Sequence, residues 1–377
     1  MIEPAFWVLL SLSAYSYFIY PFLLLALFSV RRYVPPAGRG ASPGSVTLIV
    51  TAFNEQSRIR EKILNTLAID YPGLEVIVAS DCSTDATDAI VREYSASGVR
   101  LVRAAERLGK ENAQLCAIRE ARGDVIVFSD VATEIPPNAL QLLMAYFRDA
   151  NVGAISSEDR FVATDGVVAG EGAYVRYEMW LRRMESQLAG LVGLSGSFFA
   201  ARRSVCEQWD IRSPSDFNTA LNCARLGLRS VTAPDVLGFY KDLQDPRKEH
   251  QRKVRTVLRG ITAIAAHPDV LSVFRFRLFS WEVWSHKVMR WAVPWLLLPV
   301  LLLNPFLLQK HWIYQVLFAG QLAFYGVAAL AHFSEPLKRI GPVRIVYFFV
   351  QSNLAVAEAC LRFATGKRMT TWQPSAR

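Results

Sequence analysis

Two nucleotide-binding motifs are missing from this chain. The sequence contains neither a GxxxxGKS/T segment nor a GxGxxG segment. Glycine-rich loops of these two kinds hold phosphates in P-loop enzymes and in dinucleotide-dependent dehydrogenases. Neither class of enzyme is therefore favoured. The chain also has no internal repeat and no low-complexity tract.

Cysteine and histidine are scarce, with five of each. The cysteines show neither a paired pattern nor a metal-type spacing, which fits a domain in the reducing cytoplasm. They are Cys82, Cys116, Cys206, Cys223 and Cys360. None of the histidines has ligand-like neighbours, and His286 lies in a Trp- and Arg-rich stretch that is typical of a membrane interface.

Charge is absent from the first apolar stretch. Residues 4–30 contain no charged side chain, and a segment of this length can cross a bilayer core of about 30 Å. It lacks the basic start and the small-residue cleavage site of a removable signal. Because Arg31 and Arg32 follow it, the positive-inside rule places the amino terminus outside and the next domain in the cytoplasm.

Two further apolar segments, 291–308 and 312–331, predict a tight membrane hairpin. The basic loop around Lys338 is then cytoplasmic again. The last apolar stretch, 345–363, contains several polar residues. It is compatible both with a span and with a helix on the membrane surface.

Hydrophobic residues make up 52% of the chain and are concentrated at its two ends, and the formal net charge is +9. With membrane segments present, a basic face indicates anionic lipid or phosphorylated ligands rather than nucleic acid. We predict a membrane helix at 1–34, a cytoplasmic domain at 35–245, interfacial amphipathic helices at 246–290 and a membrane region at 291–377. Residues 274–291, rich in Trp and Arg, predict the interfacial helix that leads into the second apolar segment.

Strands alternate with helices in the predicted cytoplasmic domain. Apolar runs at 46–51, 75–80, 99–103 and 125–128 predict buried strands, with helical stretches between them. This alternation predicts an α/β fold with a mixed, mostly parallel sheet and helices on both of its faces. Ligands of such sheets bind at the carboxyl ends of the strands.

Polar residues follow three of these strands. They are Asn54-Glu55, Ser80-Asp81 and Ser129-Asp130, and Lys110 stands at a predicted helix start. Carboxylates, a lysine and helix N-termini together predict a cradle for a nucleoside diphosphate, with or without a metal ion. Each acid alone has a simpler explanation, because an acid at a strand end often shapes the following turn.

The same segments carry a family resemblance. The chain reads TAFNE at 51–55, VASDCSTDAT at 78–87, RLGK at 107–110, FSDVATEIPPNAL at 128–140, GLSGS at 193–197, SDFNTAL at 215–221 and RKVRT at 252–256. In this order the segments resemble membrane-bound, inverting family 2 glycosyltransferases, in the branch of cellulose, hyaluronan and poly-N-acetylglucosamine synthases. The likeness spans about 46–260. It implies a GT-A-type fold and a multi-pass protein of the bacterial inner membrane.

The resemblance implies a UDP-sugar donor and a divalent cation, Mg²⁺ or Mn²⁺. Asp81 matches the acid that recognises the uracil ring, and Asp130 matches the first acid of the family's DxD element, which binds the metal. Ala132 fills the second acidic position, so Glu134 or water must complete the metal shell. The implied nucleotide-binding residues are Thr51, Phe53, Glu55, Asp81, Lys110, Ser129, Asp130, Arg252 and Arg255.

Asp216 matches the family's catalytic base, which takes the proton of the acceptor hydroxyl. From the residues alone, Asp216 is equally compatible with an N-cap of the following helix. Glu158 and Asp159 are the next candidates for the base. The implied acceptor contacts are Ser195, Gly196 and Ser197.

These residues predict transfer of a sugar from a UDP-sugar to a growing glycan or a polyprenyl-linked acceptor in cell-surface polysaccharide synthesis. Arg252 and Arg255 match the family's QxxRW element, although a basic helix face can also lie on lipid. Thr256 replaces the tryptophan of that element, which favours single addition over a processive synthase with export. Ala132 also leaves open a degenerate membrane scaffold that only binds nucleotide.

Overall fold

The computed structural model describes residues 2–31, 33, 44–162, 173–241 and 246–369. The chain forms two compact units. The sheet unit contains Leu24–Gln244 and Thr262–Glu282, and the helical unit contains Met1–Leu23, Asp245–Ile261 and Val283–Arg368. Arg32 of the predicted basic pair lies outside the described residues.

Seven strands form one sheet in the described part of the sheet unit. They are β1 (Val46–Ala52), β2 (Glu75–Ser80), β3 (Val99–Arg103), β4 (Val125–Asp130), β5 (Val152–Val162), β6 (Phe198–Arg202) and β7 (Arg229–Lys241). Their order across the sheet is β3-β2-β1-β4-β6-β5-β7. Neighbours run parallel except at β6, which is antiparallel to both β4 and β5. The predicted mixed, mostly parallel sheet is confirmed.

The described residues contain eleven helices of seven or more residues. They are α1 (Ile2–Val30), α2 (Ile59–Leu67), α3 (Thr87–Glu93), α4 (Lys110–Glu120), α5 (Ala139–Tyr146), α6 (Ala173–Leu188), α7 (Ser215–Arg225), α8 (Pro246–Ala266), α9 (Leu278–Leu307), α10 (Trp312–Phe333) and α11 (Gly341–Ala364). Single turns of helix occur at Ser95–Ser97, Arg203–Cys206, Pro268–Leu271, Val273–Phe276 and Glu335–Lys338.

β1 is buried on both faces, as its apolar sequence predicts. Leu48 and Val50 lie in a core cluster that includes Ile59 and Ile63 of α2. Ile49 points to the opposite face, where its cluster includes Ala113 and Ala117 of α4. Side chains that alternate along a strand therefore meet helices on both sides of the sheet.

The strand register brings the predicted site residues to one edge. Thr51 of β1 lies between Ala79 of β2 and Asp130 of β4. Because β1, β2 and β4 are parallel, the loops that follow them leave the sheet at the same edge.

Among the residues that the structure describes, three helices are long and apolar enough to cross a membrane, namely α1, α9 and α10. In the helical unit, Phe6, Val300, Leu307 and Tyr314 form a buried cluster. The second of these helices begins at Leu278, ahead of the apolar segment at 291–308, and includes a π-helical turn at Trp284–Val288. The predicted interfacial helix at 274–291 is therefore mostly part of α9.

The ambiguous stretch at 345–363 lies within α11, which is not among the three apolar helices. Two of its polar residues, Ser352 and Glu358, contact α8. His250 Nε2 lies 2.9 Å from Glu358 Oε2, and Lys253 Nζ donates to Ser352 Oγ at 3.2 Å. The sequence alone does not distinguish a span from a surface helix here, because the partners of these polar side chains lie on another helix of the helical unit.

Candidate functional site

Asp81 follows β2 and is fully buried. Its Oδ1 accepts a hydrogen bond from the Gly109 backbone N–H at 3.1 Å, whereas its Oδ2 is buried with no hydrogen-bond partner among the described residues. Burial raises the pKa of Asp81, and the hydrogen bond from Gly109 opposes this shift. Because a buried acceptor is costly when unpaired, this oxygen is suited to receive an N–H group of a ligand.

Lys110 is the first residue of α4 and follows Gly109, whose φ of 108° is readily adopted only by glycine. The turn directs the lysine to the end of β4. Lys110 Nζ lies 2.5 Å from Asp130 Oδ1 and donates to the Gly196 carbonyl at 2.9 Å. The lysine thereby joins β4 to the loop before β6.

Asp130 is the residue that the sequence resemblance predicts as a metal ligand. Ala132 provides no ligand, and the described residues contain no group of three His, Cys, Asp or Glu side chains arranged around a common metal position. Mg²⁺ is commonly bound by one or two carboxylates together with substrate phosphates and water. A single aspartate fits such a site only when the diphosphate supplies further ligands.

Asp216 is the second residue of α7, and the N-cap residue is Pro214. The alternative that Asp216 is the N-cap is therefore wrong. A Cβ atom placed on Gly196 would lie 3.3 Å from Asp216 Oδ2, so this carboxylate faces the backbone of Gly196. Because Lys110 binds the Gly196 carbonyl, Lys110, Asp130 and Asp216 all lie around the same short loop.

The predicted acceptor residues Ser195 and Ser197 hold that loop in place. Ser195 Oγ lies 2.6 Å from both carboxylate oxygens of Asp159, and Ser197 Oγ donates to Asp159 Oδ1 at 2.9 Å. Desolvation raises the pKa of Asp159, and the two serine hydrogen bonds oppose the shift. Glu158, the other alternative base, pairs with Arg160 and Arg183. Both alternative bases thus have structural contacts.

The remaining predicted nucleotide residues of the sheet unit lie near the ends of β1 and β4. Thr51 and Ser129 are buried, and Ser129 Oγ donates to the Asp130 carbonyl at 3.1 Å. Glu55 Oε2 accepts two hydrogen bonds from Arg58, at 2.9 and 2.6 Å. The Arg107 guanidinium lies 3.8 Å from the centroid of the Phe53 ring. Sequence reasoning did not assign Arg107, although it belongs to the RLGK segment.

Arg252 and Arg255 lie on α8, within the part of that helix that belongs to the helical unit. Their assignment to the diphosphate therefore stays a prediction from the sequence resemblance.

Lys62 is the residue that sequence reasoning missed most clearly. It is on the buried face of α2 with Ile59 and Ile63, and its Nζ donates to the Thr133 carbonyl at 2.5 Å. Burial lowers the pKa of Lys62 to about 7, although Asp130 and Glu134 attract its proton. The signal was available, because Lys62 stands three residues after Ile59 and one before Ile63, on the face of the helix that an apolar stripe marks as buried.

A cavity of about 470 Å³ opens beside this lysine. It is lined by Arg58, Lys62, Ala132 and Glu134, among others. Ala132 occupies the position of the second acid of the DxD element. This position therefore faces a cavity that is lined by both basic and acidic side chains.

Residues 47–209 match the family model described as "Glycosyl transferase family 2". The chain carries a family 2 glycosyltransferase domain. The family resemblance predicted from the motifs is confirmed.

Two relatives show how far the similarity extends. The chain is 27% identical over 170 residues to a "Beta-monoglucosyldiacylglycerol synthase" of Synechocystis sp., covering 42% of this chain and 35% of the relative. It is 27% identical over 290 residues to an "N-acetylglucosaminyltransferase" of Rhizobium meliloti, covering 67% of each chain. The chain thus spans about a third of the first relative and two thirds of the second.

A solved structure supports the fold. A mannosyltransferase from Pyrobaculum calidifontis, in complex with GDP-Man and Mn²⁺, aligns over 98% of this chain and 100% of its own, with a TM-score of 0.74 and 22% identity. The chain therefore has the predicted GT-A-type fold.

Proposed function

We propose that this glycosyltransferase transfers a sugar, with inversion, from a UDP-sugar to a glycan or polyprenyl-linked acceptor at the cytoplasmic face of a bacterial inner membrane, in cell-surface polysaccharide synthesis. The observation that carries the proposal is the meeting of Lys110, Asp130 and Asp216 around Gly196. In this arrangement the ammonium group of Lys110 and the proposed metal ligand Asp130 lie around the same loop as the proposed base Asp216.

The arrangement suits a single displacement. Asp216 takes the proton of the acceptor hydroxyl while that oxygen bonds to the anomeric carbon, and the bond from this carbon to the diphosphate breaks on the opposite face. Lys110 stabilises the negative charge that grows on the leaving diphosphate. A divalent cation held by Asp130 would neutralise further diphosphate charge. No second carboxylate is needed, which is consistent with the structural contacts of Glu158 and Asp159.

The proposed donor carries uracil because of Asp81. The ring N–H of uracil can donate to a carboxylate oxygen, and Asp81 Oδ2 is a buried acceptor with no partner among the described residues. Adenine has no ring N–H to offer at this position, so UDP should bind better than ADP. We also expect GDP to bind more weakly.

The experiment is nucleotide binding and turnover with the purified full-length protein in detergent. UDP, GDP and ADP are compared in binding, and UDP release is followed with UDP-glucose, UDP-galactose and UDP-N-acetylglucosamine, with GDP-mannose as contrast. Asp81→Asn should weaken UDP binding by roughly 10–100-fold, the value of a hydrogen bond to a charged group. Asp235→Asn, at an exposed aspartate of β7, is the control. Equal affinities of the wild type for the three nucleotides would rule the proposal out.

A degenerate scaffold is the second candidate, and the Lys110–Asp130 ion pair next to Ala132 is the observation that favours it. Such a protein would bind UDP with the same dependence on Asp81 and release no UDP from any of the sugars. We place the enzyme first because the Asp216 carboxylate faces the backbone of Gly196, whose carbonyl binds Lys110. Within the enzyme proposal, Thr256 favours single addition over processive synthesis.

A further inference from the structure

Four arginines line a single cavity of the sheet unit. The cavity has a volume of about 310 Å³, and its basic residues are Arg31, Arg229, Arg275 and Arg277. The other lining residues are apolar or small, and no acidic residue of the described chain is among them. Concentrated positive charge in a concave site attracts an anion.

This cavity is separate from the candidate active site. Arg229 is the first residue of β7, which runs parallel to β5. Since β5 and β4 are both antiparallel to β6, β4 and β7 run in the same direction. Arg229 therefore lies at the edge where these strands begin, and Asp130 lies at the edge where β4 ends. The length of a six-residue strand, about 15–20 Å, separates the two edges.

The ends of two membrane helices reach the cavity. Arg31 directly follows α1, and Leu278 is the first residue of α9. Both helices are candidate membrane spans. The cavity thus lies where a candidate span ends and its flanking basic residues begin. Basic residues at such positions lie at the depth of the lipid headgroups.

The arginines keep most of their charge available. Arg229 is fixed by hydrogen bonds from Nη1 and Nη2 to the carbonyls of Leu188 and Ser186. The carboxylates of Glu282 and Asp149 attract its charge, but neither is among the residues that line the cavity. Arg275 Nη1 lies 3.7 Å from Asp269, but this carboxylate already accepts two shorter hydrogen bonds from Arg225. Among the described residues, Arg31 and Arg277 form no ion pair. Among the described residues that line the cavity, four are arginines and none is an acid.

The segment before α9 is also shaped to meet a membrane. Phe274 is 98% exposed and stands next to Arg275. Arg277 has a φ of 51°, which separates the single turn at Val273–Phe276 from α9. An exposed aromatic side chain beside arginines is typical of a segment that enters the headgroup region of a bilayer.

We propose that this cavity binds the phosphate group of an anionic phospholipid, with the arginines around the phosphate and Phe274 in the adjoining acyl layer. Guanidinium groups form paired, charge-assisted hydrogen bonds with phosphate oxygens, so the site matches phosphate chemistry in particular. A soluble phosphate has the same chemistry, and the experiment distinguishes these two sources.

The test uses the full-length protein in detergent and native mass spectrometry. The protein is titrated with phosphatidylglycerol and, separately, with phosphatidylcholine of the same acyl chains. The double variant Arg275→Gln/Arg277→Gln should lose phosphatidylglycerol binding by about fivefold for each arginine removed. The control Arg92→Gln/Arg119→Gln removes two exposed arginines on α3 and α4 and should bind like the wild type. UDP binding should be equal in all three proteins.

Two results would overturn the proposal. Equal phosphatidylglycerol binding by the double variant and its control would show that the cavity is not the site. Inorganic phosphate that raises the melting temperature of the wild type, but not of the double variant, without any preference between the lipids, would assign the cavity to a soluble phosphate instead. If the double variant does not fold, Arg31→Gln removes an exposed arginine of the same cavity and gives the same comparison.

Discussion

The ammonium group of Lys110 lies 2.5 Å from Oδ1 of Asp130. The acid that begins the DxD element is therefore already paired with a cation of the protein itself. A divalent cation at this position must share the carboxylate with the lysine, and it depends on diphosphate oxygens and water for most of its ligands. Metal binding should accordingly be weak and coupled to the donor.

Restoring the second acid tests this coupling. Ala132→Asp adds a hard oxygen ligand next to Asp130, so the Mn²⁺ concentration for half-maximal activity should fall, on the order of tenfold. Ala132→Asn has the same size without the charge and should shift this concentration much less. Activity of the wild type that persists in excess chelator would show that no cation is needed and that Lys110 suffices at the diphosphate.

The variant Asp216→Asn tests whether Asp216 is a catalytic base or a structural residue. The amide keeps the size of the side chain but cannot accept the acceptor proton, so transfer should fall by roughly 10²–10⁴-fold. Because Pro214 is the N-cap of α7, the melting temperature should change little. UDP affinity should also be retained. A joint loss of stability, UDP binding and activity would instead make Asp216 a structural residue.

The lowered pKa of Lys62 predicts that the free energy of unfolding depends on pH. Its pKa is about 7 in the folded protein, against about 10.4 in an unfolded chain. Between these values the unfolded state binds a proton that the folded state does not, so the free energy of unfolding rises with pH, by at most about 1.4 kcal/mol per pH unit. Below pH 7 both states hold the proton and this dependence ends.

The variant Lys62→Met lacks this titration. The melting temperature of the wild type relative to Lys62→Met should therefore increase between pH 7.5 and pH 9.5, measured by tryptophan fluorescence in detergent. Lys367→Met, at an exposed lysine, should follow the wild type over the same range. Parallel profiles of the wild type and Lys62→Met would mean that Lys62 keeps its proton.

The orientation in the membrane is tested by labelling. In a cysteine-free background, Lys338→Cys should react with a membrane-impermeant maleimide only after the membrane is permeabilised, because the loop is predicted to be cytoplasmic. His311→Cys, in the exposed turn between α9 and α10, should react without permeabilisation. The opposite pattern would invert the predicted topology.

The part of the fold that could be predicted from sequence is the part that local patterns determine. The apolar run of β1 is buried on both faces, and its periodicity shows this directly. The neighbours of a strand in the sheet could not be predicted in this way. Nothing local in Phe198–Arg202 indicates that β6 runs antiparallel between β4 and β5, because the alternation of side chains is the same in either direction.

At the site, the motifs located Lys110, Asp130 and Asp216 in sequence, and the structure shows that they surround Gly196. Lys62 was missed because a lysine in a helix is ordinarily exposed. The residues predicted as interfacial and those predicted to span the membrane form one continuous helix from Leu278, and composition alone does not mark the point where one passes into the other.

The position of β6 has a consequence for synthesis of the chain. β5 leaves the ribosome before either of its partners, since β6 and β7 both follow it in sequence. Roughly 40 residues separate the end of β5 from the end of β6, which corresponds to about 2–8 s of translation at 5–20 residues per second. During this time β5 has unpaired backbone groups on both sides. Chains that stop before Phe198 should therefore aggregate, whereas chains that reach Lys241 contain every strand of the sheet.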